Sequence, residues 1–230
     1  MITRGKYFNH KKIDLGYSDM IAETLESGRT YFAPDGSKYP SITTVLSILS
    51  EEAIQAWRAR VGAEEANKIS HRASTRGTAV HSIIEKYIDN DENFANGFMP
   101  NIIENFKSVQ KILDERLGDI YCQEFPLYSS HLGVAGRVDC IAEFDGVPSI
   151  IDFKTSKRLK SANDIEGYYI QESAYAIMWE ERTGQPIVNL VTIIAVDDEP
   201  AQVFREHRDN WAPKLLDTIN EYRRRKLFGR

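Results

Sequence analysis

Residues 136–157 read GRVDCIAEFDGVPSIIDFKTSK, two apolar runs around the pair Asp145-Gly146. Asp-Gly is a preferred two-residue loop of a type I′ hairpin, because both central positions need φ > 0. Such a loop fixes the register. Phe144 then faces Val147, and stepping outward puts Asp139 opposite Asp152 on a non-hydrogen-bonded pair, where Cα atoms come within about 4.5 Å. Pro148 also falls on a non-hydrogen-bonded position, so its missing N–H costs the ladder nothing. One face carries Val138, Cys140, Ala142, Phe144, Val147, Ile151 and Phe153, which reads as a core face. The other carries Arg137, Asp139, Glu143, Asp152 and Lys154, with Ile141 and Ile150 between them.

Like charges directly opposed on a sheet destabilise it, and crowded carboxylates drive one pKa upward unless a cation intervenes. Two arrangements relieve this. Asp139 and Asp152 could form ion pairs with Arg137 and Lys154 on an exposed face. Alternatively a divalent cation such as Mg²⁺, which favours carboxylate oxygens, sits between them. Lys154, on the same face as Asp152, would then point at whatever the cation holds.

The remaining chain predicts a frame for this hairpin. YFAPDGSKYP (31–40) reads as a small hairpin or turn, followed by helices over 41–50 and 51–61. Residues 63–89 read as helix with a junction at Gly77, and Val80, Ile83, Ile84, Tyr87 and Ile88 have amphipathic spacing. A helix over 101–117 stops at Gly118, and strands follow at 119–127, 133–144 and 147–155. Asn163 or Asp164 caps a helix ending before Gly184 and Pro186. A buried strand (187–196), a weaker strand (201–206) and a closing helix (209–226) complete the chain. The expected fold is therefore α/β, a central mixed sheet flanked by helices. One domain spans 1–230, with a core over about 60–206 and an N-terminal helical part over about 31–75.

Composition narrows the function classes. Hydrophobic residues at 42% and charged residues at 27% suit a globular protein, and no apolar run approaches the ~18 residues of a membrane span. MITRGKYFNHKK has no apolar stretch of the secretory kind, and Cys122 and Cys140 have neither metal-knuckle nor disulfide-framework spacing. These features predict a cytoplasmic protein. A net charge of −5 argues against a broadly basic nucleic-acid coat protein but leaves room for local patches, here KTSKRLK (154–160) and RRRKLFGR (223–230).

Three further features outside the hairpin bear on its chemistry. His81 borders the apolar stripe of its helix, with Glu85 one turn on. Gln171 and Tyr175 are one turn apart on the helix after the hairpin. Ser41, Thr43 and Thr44 mark a helix start that reads first as an ordinary cap, and whose amides and hydroxyls could also hold a phosphate.

The ordered set His81, Gly136-Arg-Val-Asp139, Asp152-Phe-Lys154 and Gln171-Glu-Ser-Ala-Tyr175 resembles the RecB-type branch of the PD-(D/E)xK nuclease superfamily. YPSITTVLSIL, AWRARVG and ASTRGTAVHSIIEKY extend the resemblance to the group that contains the mitochondrial genome maintenance exonuclease and its phage relatives. The likeness covers roughly 31–200 and implies a restriction-endonuclease-like core. It implies that His81, Asp139, Asp152 and the Phe153 carbonyl bind Mg²⁺ or Mn²⁺, with Asp139, Asp152 and Lys154 catalytic. Lys154 would position or activate the attacking water, on a partly depressed pKa if it accepts a proton. Gln171 and Tyr175 would line the site, with Arg76, Lys157, Arg158 and the Ser41 helix contacting the substrate backbone. Trp57, Tyr168 or Tyr169 could stack on bases, and Glu85 or Glu124 could serve a second metal. Val138 replaces the superfamily's proline. No cysteine follows position 140, so no iron–sulfur cluster is expected. The implied activity is an exonuclease preferring single-stranded DNA, in a phage or bacterial setting because no transit peptide is visible. The alternatives are an endonuclease of the same superfamily and an inactive DNA-binding module.

Overall fold

The computed structural model describes residues 2–11 and 13–229; Met1, Lys12 and Arg230, the last of them closing the basic C-terminal run, lie outside the described residues. The element that positions everything else is a five-stranded sheet of order β4-β5-β6-β7-β8. Its strands are β4 (Leu117–Ser129), β5 (Val134–Phe144), β6 (Val147–Ser156), β7 (Asn189–Val196) and β8 (Gln202–His207). β5 and β6 form the expected hairpin, with Phe144 opposite Val147 and both Asp145 and Gly146 at positive φ. β6 and β7 run parallel, which requires a crossover, and α5 (Glu166–Thr183) supplies it. The remaining neighbours are antiparallel, so the sheet is mixed as expected.

Both faces of this sheet are buried. One is covered by α3 (Ala63–Ile88) and α4 (Pro100–Arg116), whose Val80, Ile84, Phe106 and Leu113 pack on Cys140, Ile151 and Phe153. The other is covered by α1 (Ile42–Leu46), α5 and α6 (Arg208–Phe228), whose Ile42, Ile170 and Leu215 share a cluster with Ile141 and Ile150. The hairpin face assigned to charge is therefore core near the turn, where Ile141 and Ile150 are fully buried. Of its charged residues, Glu143 stays beside the turn opposite Pro148, while Arg137, Asp139, Asp152 and Lys154 gather at the open end.

Several local expectations are revised. α3 is continuous through Gly77, which lies against β6: a Cβ there would meet the Thr155 hydroxyl at 3.8 Å. α4 passes directly into β4 at Leu117 without using Gly118 as a stop. The helix start near 163 is a short 3₁₀ turn capped by Ser161, whose hydroxyl and amide engage Asp164, before α5 begins. The N-terminal part is more than helix. β1 (Ile21–Leu25), β2 (Gly28–Phe32) and β3 (Lys38–Pro40) form a small antiparallel sheet, and Asp35-Gly36 lies in the β2–β3 loop as read. α2 (Glu51–Val61) follows a 3₁₀ turn at Ser47–Leu49. Among the described residues no helix is long and apolar enough to cross a membrane.

Candidate active site

The β5–β6 ladder runs from the turn to Cys140–Ile151 and ends there, one pair short of Asp139 and Asp152. Beyond it β5 continues on β4 as far as Val134, while β6 continues on β7 as far as Ser156. The sheet opens into a fork. At its crotch the Asp139 carboxylate replaces the missing backbone acceptor, taking the Phe153 N–H at 2.8 Å. The β-register thus brings the two aspartates to neighbouring prongs rather than into a laddered pair.

On the β5 prong, Asp139 meets His81 of α3, whose Nδ1 lies 3.6 Å from Asp139 Oδ2. Glu124 joins them from β4. Its neighbours Gln123 and Phe125 pair with Cys140 and Val138, so Glu124 stands across from Asp139. The register is the same on either side of it, and Glu124 itself adopts φ 45°, uncommon for a residue with a Cβ. One donor atom each from His81, Glu124 and Asp139 lie within 4.8 Å of one another. Burial raises the Glu124 carboxyl to about 7, with the Asp139 and Glu85 charges adding to it. Two crowded carboxylates and an imidazole, with no lysine or arginine paired to either acid among the described residues, are a donor set that suits a hard divalent cation. Ile84, Glu85, Gln123 and Phe153 complete the lining of a small cavity there.

On the β6 prong, Asp152 is 1% exposed and ion-paired to Lys154, and its Oδ1 accepts from the Gln171 amide at 3.3 Å. Gln171 also lies 3.4 Å from the Tyr175 hydroxyl. Tyr175 is buried against Gly136, where a Cβ would come within 2.8 Å of the tyrosine ring. That close approach gives the glycine of G-x-x-D its physical reason. Burial lifts the Asp152 carboxyl above its usual range; Lys154 pulls it down and Asp139 pushes it further up. Burial disfavours the Lys154 charge, but Asp152 and Asp139 overcome it and hold the ammonium above the ordinary lysine range. Asp152 thus holds its proton more tightly because it is buried, and Lys154 because two carboxylates face it. Lys154 is therefore a donor here, and the expected downward shift toward a proton acceptor is not present. Beneath the pair, Glu172 is fully buried, bonded to Thr192 and raised well above the carboxylate range by burial and by Asp152.

The structure thus brings His81, Asp139, Phe153, Asp152, Lys154, Gln171 and Tyr175 to the fork, and Glu124 stands with His81 and Asp139 in the group whose donor atoms lie closest together. The residues expected to contact the substrate backbone or bases have these surroundings. Ser41 is 2% exposed and its hydroxyl caps α1 through the Thr44 amide. Arg76 is ion-paired to Asp197 just past β7, where Asn105 also bonds. Lys157 and Arg158 are exposed after β6. Tyr169 is buried against Trp211, with ring centroids 5.1 Å apart.

No protein-family model matches the chain. It is 26% identical over 129 residues to the mouse (Mus musculus) mitochondrial genome maintenance exonuclease 1, a match covering 53% of this chain and 38% of that protein. The chain therefore spans well under half the length of this curated relative. Among solved structures, a presumed exonuclease from Eubacterium rectale overlaps 67% of this chain and 66% of its own, at 17% identity and a TM-score of 0.41. The protein SSO0001 overlaps 62% and 73%, at 15% identity and a TM-score of 0.33.

Proposed function

We propose that this chain is a divalent-metal-dependent deoxyribonuclease of the PD-(D/E)xK type, hydrolysing phosphodiester bonds from the free ends of single-stranded DNA. The observation that carries the reading is the fork: a three-donor mouth of His81, Glu124 and Asp139 beside a shielded Asp152–Lys154 pair. The similarity to a mitochondrial exonuclease supports the choice of nuclease within the chemistry such a site allows.

In this proposal His81, Glu124 and Asp139 hold Mg²⁺ or Mn²⁺, with Asp152 and the Phe153 carbonyl at its edge. Bound there, the metal would polarise the scissile phosphate and lower the pKa of a water. Lys154 donates to the phosphate oxygens as negative charge builds on them, an interaction strongest in the transition state. Gln171 fixes the Asp152 carboxylate, and Tyr175 supports Gln171 from the core. Lys157 and Arg158, exposed at the end of β6, meet the DNA backbone, as does the N-terminal part around 31–75. The setting we assign is DNA processing in the cytoplasm of a bacterium or a phage-infected host.

Digestion of end-labelled linear and circular single strands tests it. With Mg²⁺ or Mn²⁺ the linear form should fall to short oligonucleotides while the circle survives, and EDTA should stop the digestion of the linear form. Rapid linearisation of the circle would replace the exonuclease by an endonuclease, and full cleavage in EDTA would remove the metal.

A further inference from the structure

A cleft of about 630 Å³ opens between the α1 segment and the start of α5. It lies in the ~300–1,000 Å³ range of clefts that enclose small ligands. It shares a wall with the active site, because Gln171 lines the cleft while its amide reaches Asp152. Tyr168, one turn earlier on α5, lines the same wall, and Lys154 Nζ lies 5.0 Å from the centre of its ring. One aromatic ring thus borders both the cleft and the ammonium of the D-x-K segment.

The chemistry of the walls selects among ligands. Among the described residues, the only cation in the lining is Lys214, and it is paired with Glu166. Asp164 is held by the Ser161 cap. No free ammonium or guanidinium is left there for a phosphate. Leu46, Leu49, Thr43 and Ser50 line the same cleft. An aromatic face, aliphatic contacts and neutral hydrogen-bonding groups suit a flat, uncharged ring with polar edges. Such a ring could be followed at once by an anion at Lys154.

We propose that the cleft seats the unpaired base of the nucleotide next to the scissile phosphate, with that base on Tyr168 and the phosphate at Lys154. This inference rests on the nuclease reading above. It supplies that reading with a cause for single-strand preference, since a base still paired in a duplex cannot enter. Every base has a π-face, so the seat tolerates any sequence.

The test walks one abasic residue through a short fluorescent single strand and measures binding by anisotropy, with Ca²⁺ in place of Mg²⁺. For the wild type, affinity should drop about tenfold when the missing base falls at one position, the size of one base–aromatic stack. Tyr168→Ala should lose the same factor on the intact strand and nothing further at that position. Tyr168→Phe keeps the ring and should match the wild type. If the two losses multiply, or if the wild type ignores the abasic residue at every position, the cleft does not hold a base. A wild type that cleaves linear single strands under those outcomes keeps its nuclease function and loses only the cleft assignment. A wild type that neither binds nor cleaves overturns both.

Discussion

The two aspartates of the hairpin stand a few residues apart in space and in opposite surroundings. Asp152 is closed in, its side chain 1% exposed, ion-paired to Lys154 and accepting from Gln171. Asp139 is 13% exposed at a mouth it shares with His81 and Glu124, where acids outnumber cations. One half of the site neutralises itself and stays organised without help. The other half is electrostatically incomplete, which is the condition under which a cation binds strongly. A buried ion pair adds little net stability, so the closed half is better explained by what it holds ready than by what it contributes to folding. Under the proposed function the difference would separate tasks that the D-x-K motif runs together, the mouth loading the metal and the closed half aiming the lysine.

The sharpest way to break this division is to damage each half and ask what is lost. Asp139→Asn keeps the shape and an acceptor for the Phe153 amide but removes one of the two charges at the mouth. Turnover should fall by more than about 10³-fold, and Mn²⁺ binding followed by calorimetry should weaken with it. Unchanged Mn²⁺ affinity would mean that the metal sits elsewhere. Lys154→Ala should cost about 10²–10³ in turnover while Mn²⁺ affinity stays within a few-fold. Because this variant leaves Asp152 buried without its partner, it should also lose roughly 3 kcal/mol of stability, so rates belong at a temperature where it is folded. A variant keeping more than about a tenth of wild-type turnover would deny Lys154 the role of transition-state donor.

Half of this division was legible in the sequence. Asp145-Gly146 dictates the turn, the turn dictates the register, and the register brings Asp139 and Asp152 to one end of the sheet. The amphipathic spacing around Val80 and Ile84 placed His81 at the edge of a buried stripe. Glu124 could be suspected but not assigned, since its place across from Asp139 depends on irregular β4–β5 pairing and a left-handed backbone. Strand alternation carries no signal for either. Arg76 looked free because Asp197, far along the chain, gives no local hint of pairing. β1 escaped notice for a simpler reason: all five of its residues are exposed, so no hydrophobic period marks it.

Smaller effects sharpen the mouth itself. Glu124→Gln preserves volume and removes one carboxylate, and Mn²⁺ affinity should fall about tenfold, toward the low end of what supporting groups around a metal usually contribute. Affinity equal to the wild type would return the ligand set to His81, Asp139 and Asp152.

The smallest effect is one of pH, and it needs no substrate. Burial, then the Asp139 and Glu85 charges, hold the Glu124 carboxyl at about 7 in the folded protein, whereas an unfolded chain releases that proton near 4.3. The folded state is the tighter proton binder, so its stability from this group is full below about pH 4 and is lost as pH rises through about 7. The Tm of the metal-free wild type should therefore decline between pH 5 and 8 more steeply than that of Glu124→Gln. The comparison between the two cancels groups common to both, Asp152 and Glu172 among them. Saturating Mn²⁺ should oppose the decline, because the metal binds the deprotonated, folded form. Parallel Tm profiles for wild type and variant would show that Glu124 is not crowded by its neighbours, and the electrostatic case for a metal at the mouth would lapse.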